Sequence, residues 1–165
     1  MKIALIILFV IVVLIILYFI STYNTLVSLR NKVKDQWSQI DVVLKNRNDL
    51  IPNIVETVKG YAKHEKDTLD AVIEARSKAV SATTKDDEIK ASGEVTQALG
   101  RLFALAESYP ELKANTNFLD LQNKLNEIEE KIRYARQFYN DSVLTYKNKL
   151  EMFPSNIVAG MFNFK

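Results

Sequence analysis

The chain opens on an unbroken apolar run: from Ile3 to Ile20 every residue is aliphatic or aromatic, with no charge, amide, glycine or proline. Eighteen residues of helix rise about 27 Å, close to the roughly 30 Å of bilayer hydrocarbon. After Ser21 the pattern changes to apolar residues at helical spacing. Between Tyr23 and Asn48 there is no proline or glycine, and Leu26, Val33, Trp37, Ile40 and Leu44 recur at sevens, fours and threes. That spacing predicts an amphipathic helix over 23–48, able to continue from the apolar run without a break. Pro52 suits the first turn of a new helix, where its missing N–H is no loss, which leaves Asp49-Leu50-Ile51 as a tight connection. A second helix is predicted over 52–80, with Ile54, Val58, Leu69, Val72 and Ile73 on its apolar face and Gly60 inside it at a close approach to a neighbour.

Ser81 to Asp87 is polar and rich in capping residues, so it reads as a loop. The third helix, 87–108, uses Ile89, Val95, Leu99, Leu102, Phe103 and Ala106, and Tyr109-Pro110 ends it. The last helix, 116–151, starts after a cap at Asn115 or Thr116. Phe118, Leu125, Ile132, Tyr139 and Tyr146 repeat along it every seven residues, with Leu121, Ile128 and Ala135 between them. Four amphipathic helices on short connections need antiparallel neighbours. The pattern therefore predicts an all-α protein: a single N-terminal transmembrane helix followed by a long antiparallel, up-down four-helix bundle. The rival architecture is a homo-oligomer in which the heptads of the last helix form a dimeric coiled coil. The divisions are 1–22 as anchor, 23–152 as bundle and 153–165 as an apolar tail. The tail holds Ile157, Val158, Met161, Phe162 and Phe164. Such a tail docks across the bundle end, inserts at the membrane interface or meets a partner.

A signal peptide is the competing reading of the apolar run, with Lys2 as its basic start. The run exceeds the usual length of such a core, and Ser21-Thr22-Tyr23-Asn24 is a poor cleavage site, so a retained single-pass anchor in the cell membrane is expected. Arg30, Lys32 and Lys34 outweigh Lys2, and that bias places the bundle on the cytoplasmic side. The net charge of +2, from 22 basic and 20 acidic side chains scattered along the chain, offers no concentrated basic face for nucleic acid. Without cysteine there is neither a disulfide nor a thiolate site.

Motifs for chemistry are sparse. His64 is the only histidine and lacks any metal-ligand spacing, so a solvated helix-surface role is expected for it. Gly60, Gly93, Gly100 and Gly160 form no phosphate-binding loop, and no serine sits in a nucleophile elbow. The Glu-x-x-His of di-iron bundles does not occur. No catalytic, cofactor-binding or metal-ligating residue is predicted, and no cofactor. Asp41, Arg47, Glu56, Arg76, Glu107 and Arg133 lie beside the apolar stripes, where they read as interhelical ion pairs or rim charges that fix register. A polar groove for a partner segment is the alternative.

Several blocks are nonetheless specific. They include Trp37-Ser38-Gln39-Ile40-Asp41-Val42, Asp49-Leu50-Ile51-Pro52-Asn53, Ala106-Glu107-Ser108-Tyr109-Pro110-Glu111-Leu112, Ile132-Arg133-Tyr134-Ala135-Arg136-Gln137-Phe138-Tyr139-Asn140 and Phe153-Pro154-Ser155-Asn156. In these the sequence resembles the LemA family of bacterial membrane-anchored helical proteins. The resemblance implies an N-terminal transmembrane helix and a long antiparallel bundle, with no assigned reaction and no catalytic residues to carry over. It also implies relatives associated with membrane organelle formation in magnetotactic bacteria. The expected function is a non-enzymatic scaffold that holds the bilayer through residues 3–20 and recruits or organises an unidentified protein partner. A membrane-shaping or lipid-contacting role through the tail is the alternative.

Overall fold

The computed structural model describes residues 1–165. It contains helices and no strands: α1 (Lys2–Lys59), α2 (Lys66–Ser81), α3 (Lys85–Ala106), α4 (Pro110–Lys113), α5 (Thr116–Glu151) and α6 (Ser155–Met161). The chain divides into two compact units. One comprises residues 1–39 and 135–165, the other residues 40–134, and α1 and α5 contribute to both.

In the 40–134 unit, the second part of α1, α2, α3 and the first part of α5 form the expected bundle. α1 and α5 run antiparallel, since Arg47 meets Glu129 while Thr57 accepts from the Asn117 amide at 3.3 Å. Ile51, Ile54, Val58, Leu99, Leu102 and Phe118 are buried in its core, each contributing on the order of 1.5–3 kcal/mol by leaving water. The starts of α3 and α5 are capped locally. The Thr84 hydroxyl accepts from the Asp87 amide at 3.2 Å and donates to its carboxylate at 2.7 Å, and the Asn115 side chain accepts from the Phe118 amide at 2.9 Å. The polar loop before α3 is consequently shorter than its composition implies, because Lys85 is already helical. Pro110 stands in the first turn of α4, as a residue without an N–H prefers.

The largest departure from the pattern is at Pro52. No connection forms at Asp49–Ile51; α1 passes straight through. A proline inside a helix removes one backbone hydrogen bond and crowds the carbonyl four residues back, a cost of about 3 kcal/mol. Here that carbonyl belongs to Asn48, a residue only 9% exposed. The Arg76 Nε–H of α2 donates to it at 2.8 Å. A hydrogen bond from a charged donor contributes about 1.5–3 kcal/mol, so Arg76 offsets much of what the proline removes.

The expected 52–80 helix is instead divided later, at Gly60 to Glu65. The close approach expected at Gly60 is absent: a Cβ there would meet only the Thr57 and Glu56 carbonyl oxygens of its own turn, at 3.4 and 3.9 Å. Glycine destabilises a helix interior by about 1 kcal/mol relative to alanine, and at this position it lets the helix stop.

In the other unit α1 again runs antiparallel to α5. Trp37 meets Tyr139 edge to face at 5.1 Å, and nearer the N-terminus Leu26 shares a core with Tyr146. Val158 and Ala159 of α6 complete that core. The tail therefore docks along α1 rather than across the bundle end: Phe162 and Phe164 pack on Tyr23 at 4.8 and 5.5 Å. Between Ile3 and Ile20 only Phe19 is partly covered, and the segment is long and apolar enough to cross a membrane.

Arg76→Met keeps the apolar stem and deletes the donor, so it should destabilise the fold by about 1–3 kcal/mol, the cost of an unsatisfied buried carbonyl. Pro52→Ala in that background should recover much of the loss, since the alanine restores a backbone N–H that can donate to the Asn48 carbonyl within the helix. Equilibrium denaturation of the full chain in detergent micelles, run as a double-mutant cycle, tests this, and strictly additive effects would disprove the pairing.

Candidate functional site

The stripe that faces the core along α1 is Ile40, Leu44, Arg47, Ile51, Ile54 and Val58, a regular alternation of four and three with one arginine in it. Arg47 has 0% exposure. An isolated guanidinium cannot be left there, and the surrounding helices supply its acceptors. Its Nη1 donates to Thr96 Oγ1 and to Glu129 Oε1, both at 2.8 Å. Its Nη2 donates to the Ser92 carbonyl at 3.1 Å and the Ser92 hydroxyl at 3.0 Å. Thr96 is tied in further: its hydroxyl lies 3.1 Å from both the Ser92 carbonyl and Glu129 Oε2. Three helices thus meet on one cation. Only Nε has no protein acceptor.

Beside this centre lies a pocket of about 180 Å³ whose walls include Asp41, Leu44, Arg47, Val80, Glu88 and Ser92. Burial pushes the Glu88 carboxyl above its ordinary value, and a hydrogen bond with Asp41 together with the Asp41 charge pushes it the same way, while Lys85 opposes. Its Oε2 is buried without a partner.

The remaining charges singled out beside the stripes do not join the centre. Arg76 serves the Asn48 carbonyl, Glu107 pairs with Lys113 at 2.6 Å on the surface, and Arg133 pairs with Glu130 at 2.7 Å within α5. Glu56 is exposed. His64 is exposed as well, in the turn between α1 and α2 rather than on a helix surface. Glu129, Ser92 and Thr96 were not singled out by the sequence. Glu129 follows the heptad residue Leu125 by four and precedes Ile132 by three, the one signal that could have pointed to it. Chemically the centre contains a permanently charged guanidinium, the Glu129 carboxylate and two hydroxyls already engaged with them, with no imidazole or thiol in reach. No group of three or more His, Cys, Asp or Glu side chains is placed to hold a metal ion. What the centre does is lock α1, α3 and α5 in one register.

An all-α bundle whose first helix carries a span-length apolar segment defines a membrane-associated helical protein. The chain belongs to the LemA family, whose model matches residues 36–165. It is similar to Magnetosome protein MamQ 2 of Paramagnetospirillum magneticum, 26% identical over 188 aligned positions that cover 96% of this chain and 69% of that protein. It is also similar to Protein LemA of Metamycoplasma hominis, 26% identical over 142 positions, covering 86% of this chain and 65% of that protein. A third relative is Magnetosome protein MamQ of Magnetospirillum gryphiswaldense, 23% identical, with 87% of this chain and 62% of that protein covered.

Two outcomes follow from the polar centre. Glu129→Ala strands a buried cation and should cost about 3 kcal/mol, whereas Arg47→Met leaves a carboxylate that can rehydrate and should cost about 1 kcal/mol. The side-chain exposures, 0% for Arg47 and 27% for Glu129, set that order. Denaturation midpoints of the two variants measure it, and the reverse order would contradict it. For Glu88 the folded state binds the proton more tightly than the unfolded chain does. Its contribution to stability is therefore fully present below the unfolded value and is lost as pH rises through the folded one. Glu88→Gln should flatten that decline, read as the urea midpoint against pH; an unchanged slope would exclude Glu88 as its source.

Proposed function

We propose that the protein is a membrane-anchored, non-enzymatic helical scaffold that recruits or organises other proteins at the bacterial cell membrane. The observation that carries this reading is how the polar interior of the 40–134 unit is used. Arg47, Glu129, Ser92 and Thr96 are taken up by one another, which suits a rigid body better than a reaction centre. The surface supplies the complementary feature. Ile73 and Val80, one heptad apart on the same side of α2, are 50% and 61% exposed, and such an apolar strip suits a partner helix. Two of these relatives are named as magnetosome proteins, and neither name specifies a reaction. Arg30, Lys32 and Lys34, following the span, favour the cytoplasm for the bundle.

A second reading, lipid contact through the tail, has its own observation: Phe153, Ile157, Met161 and Phe162 remain exposed although the tail is docked. The scaffold reading is tested by a photo-crosslinking residue at Ile73 or Val80 in the full chain, in cells, with Lys131 as an exposed control. A recurring protein adduct at 73 and 80 but not at 131 is expected. No adduct above background at either position, across growth conditions, would count against the scaffold.

A further inference from the structure

The groove between α1 and the tail has walls of Ile11, Leu14, Ile15, Tyr18 and Phe19 on one side and Pro154 and Ile157 on the other, and a volume of about 360 Å³. No charged or amide side chain lines it. Five of those walls belong to the span, so whatever medium surrounds Ile3–Ile20 also fills the groove. Ile11 lies about 14 Å before Ile20 at 1.5 Å per residue, near the middle of a hydrocarbon layer about 30 Å thick. The groove therefore opens within one leaflet, the one nearer Ser21. We propose that residues Met152–Phe162 are a wedge seated in that leaflet beside the span, and that the groove between wedge and span takes a lipid acyl chain. The inference rests on the reading of Ile3–Ile20 as membrane-embedded and deepens the reading of lipid contact through the tail.

Three independent features of the segment fit hydrocarbon. The first is charge: none occurs between Glu151 and Lys165. The second is exposure. Met152, Phe153, Met161 and Phe162 are 62%, 80%, 66% and 52% exposed and Ile157 is 49% exposed, whereas Asn156 is the one exposed amide among them. The third is the backbone. Lipid tolerates a chain reversal only where its polar groups are satisfied from within, and several groups of this reversal find such internal partners. Ser155 Oγ, in a residue 3% exposed, lies 2.7 and 2.9 Å from the Lys149 and Met152 carbonyls and shares its one proton between them. The amides of Asn156, Ile157, Phe162 and Phe164 donate to the carbonyls of Met152, Pro154, Val158 and Ala159.

The polar edge is marked as a membrane interface is. Tyr23, just beyond the span, is 38% exposed, in the position aromatic side chains take at headgroup level. Arg30 lies over the Phe164 ring at 5.3 Å, so the chain that turns at Phe153-Pro154 returns toward the first cation of the body. A water-soluble protein is disfavoured as the occupant, since it would have to reach the groove through the leaflet.

Because the chain has no cysteine, single-cysteine variants carrying a nitroxide report each position without disturbing Trp37. The full chain, as Phe153→Cys, Ile157→Cys, Met161→Cys, Leu14→Cys or His64→Cys, is reconstituted in phosphatidylcholine vesicles. Collisions with oxygen and with a water-soluble nickel chelate are then compared. Positions 153, 157 and 161 should match position 14, with loss of nickel collisions and gain of oxygen collisions relative to position 64. If 14 is shielded while 153, 157 and 161 behave as 64 does, the wedge is refuted and the span stands. If 14 also behaves as 64 does, the membrane reading falls and the wedge with it.

Discussion

The structure turns on one hydrogen bond, from Arg76 to the carbonyl of Asn48. Without it, Pro52 would leave a buried acceptor unpaired and the helix would have reason to end there. With it, the stripe from Ile40 to Val58 stays on one helix in one register. Every core contact of the 40–134 unit that involves α1 presupposes that register: Ile51, Ile54, Val55 and Val58 face the same interior as Arg47 only because no residue between them leaves the helix.

Arg47 and the apolar core around it do different jobs. Burying a leucine or isoleucine side chain contributes on the order of 1.5–3 kcal/mol, whereas a buried ion pair often comes out near zero against hydrophobic residues of equal volume. The stability of the unit therefore comes from residues such as Ile54, Leu99, Leu102 and Phe118. What the guanidinium supplies is discrimination. A slide of α1 by one turn against α3 or α5 would take the cation away from Ser92, Thr96 and Glu129 together.

The helical class, the span-length segment, the heptads of α5 and the cap at Asn115 were legible because each is a local pattern in which residue type and spacing agree. Pro52 misled for a physical reason. Its helix-ending tendency is local, but the group that overrides it, Arg76, lies in the next helix and carries no mark in the neighbourhood of the proline. Gly60 misled in the opposite sense, since it was read through packing and stands instead where α1 ends, with no neighbouring helix against it. The polar centre was half visible. An arginine in the four-and-three alternation announces a buried charge, but Ser92 and Thr96 resemble any other small polar residues of a helix. Their role exists only once α3 is folded against α1.

That last dependence has a kinetic side. The acceptors of Arg47 lie 45, 49 and 82 residues further along the chain, and non-local contacts are slow to form because the loop between them must close first. As the chain is synthesised, the guanidinium cannot be fully withdrawn from water until Glu129 has been made, and α1 and α2 alone leave it without its counter-charge. The commitment of the 40–134 unit to its native arrangement is thus deferred to the arrival of α5. By then residues 3–20 have long preceded it out of the ribosome.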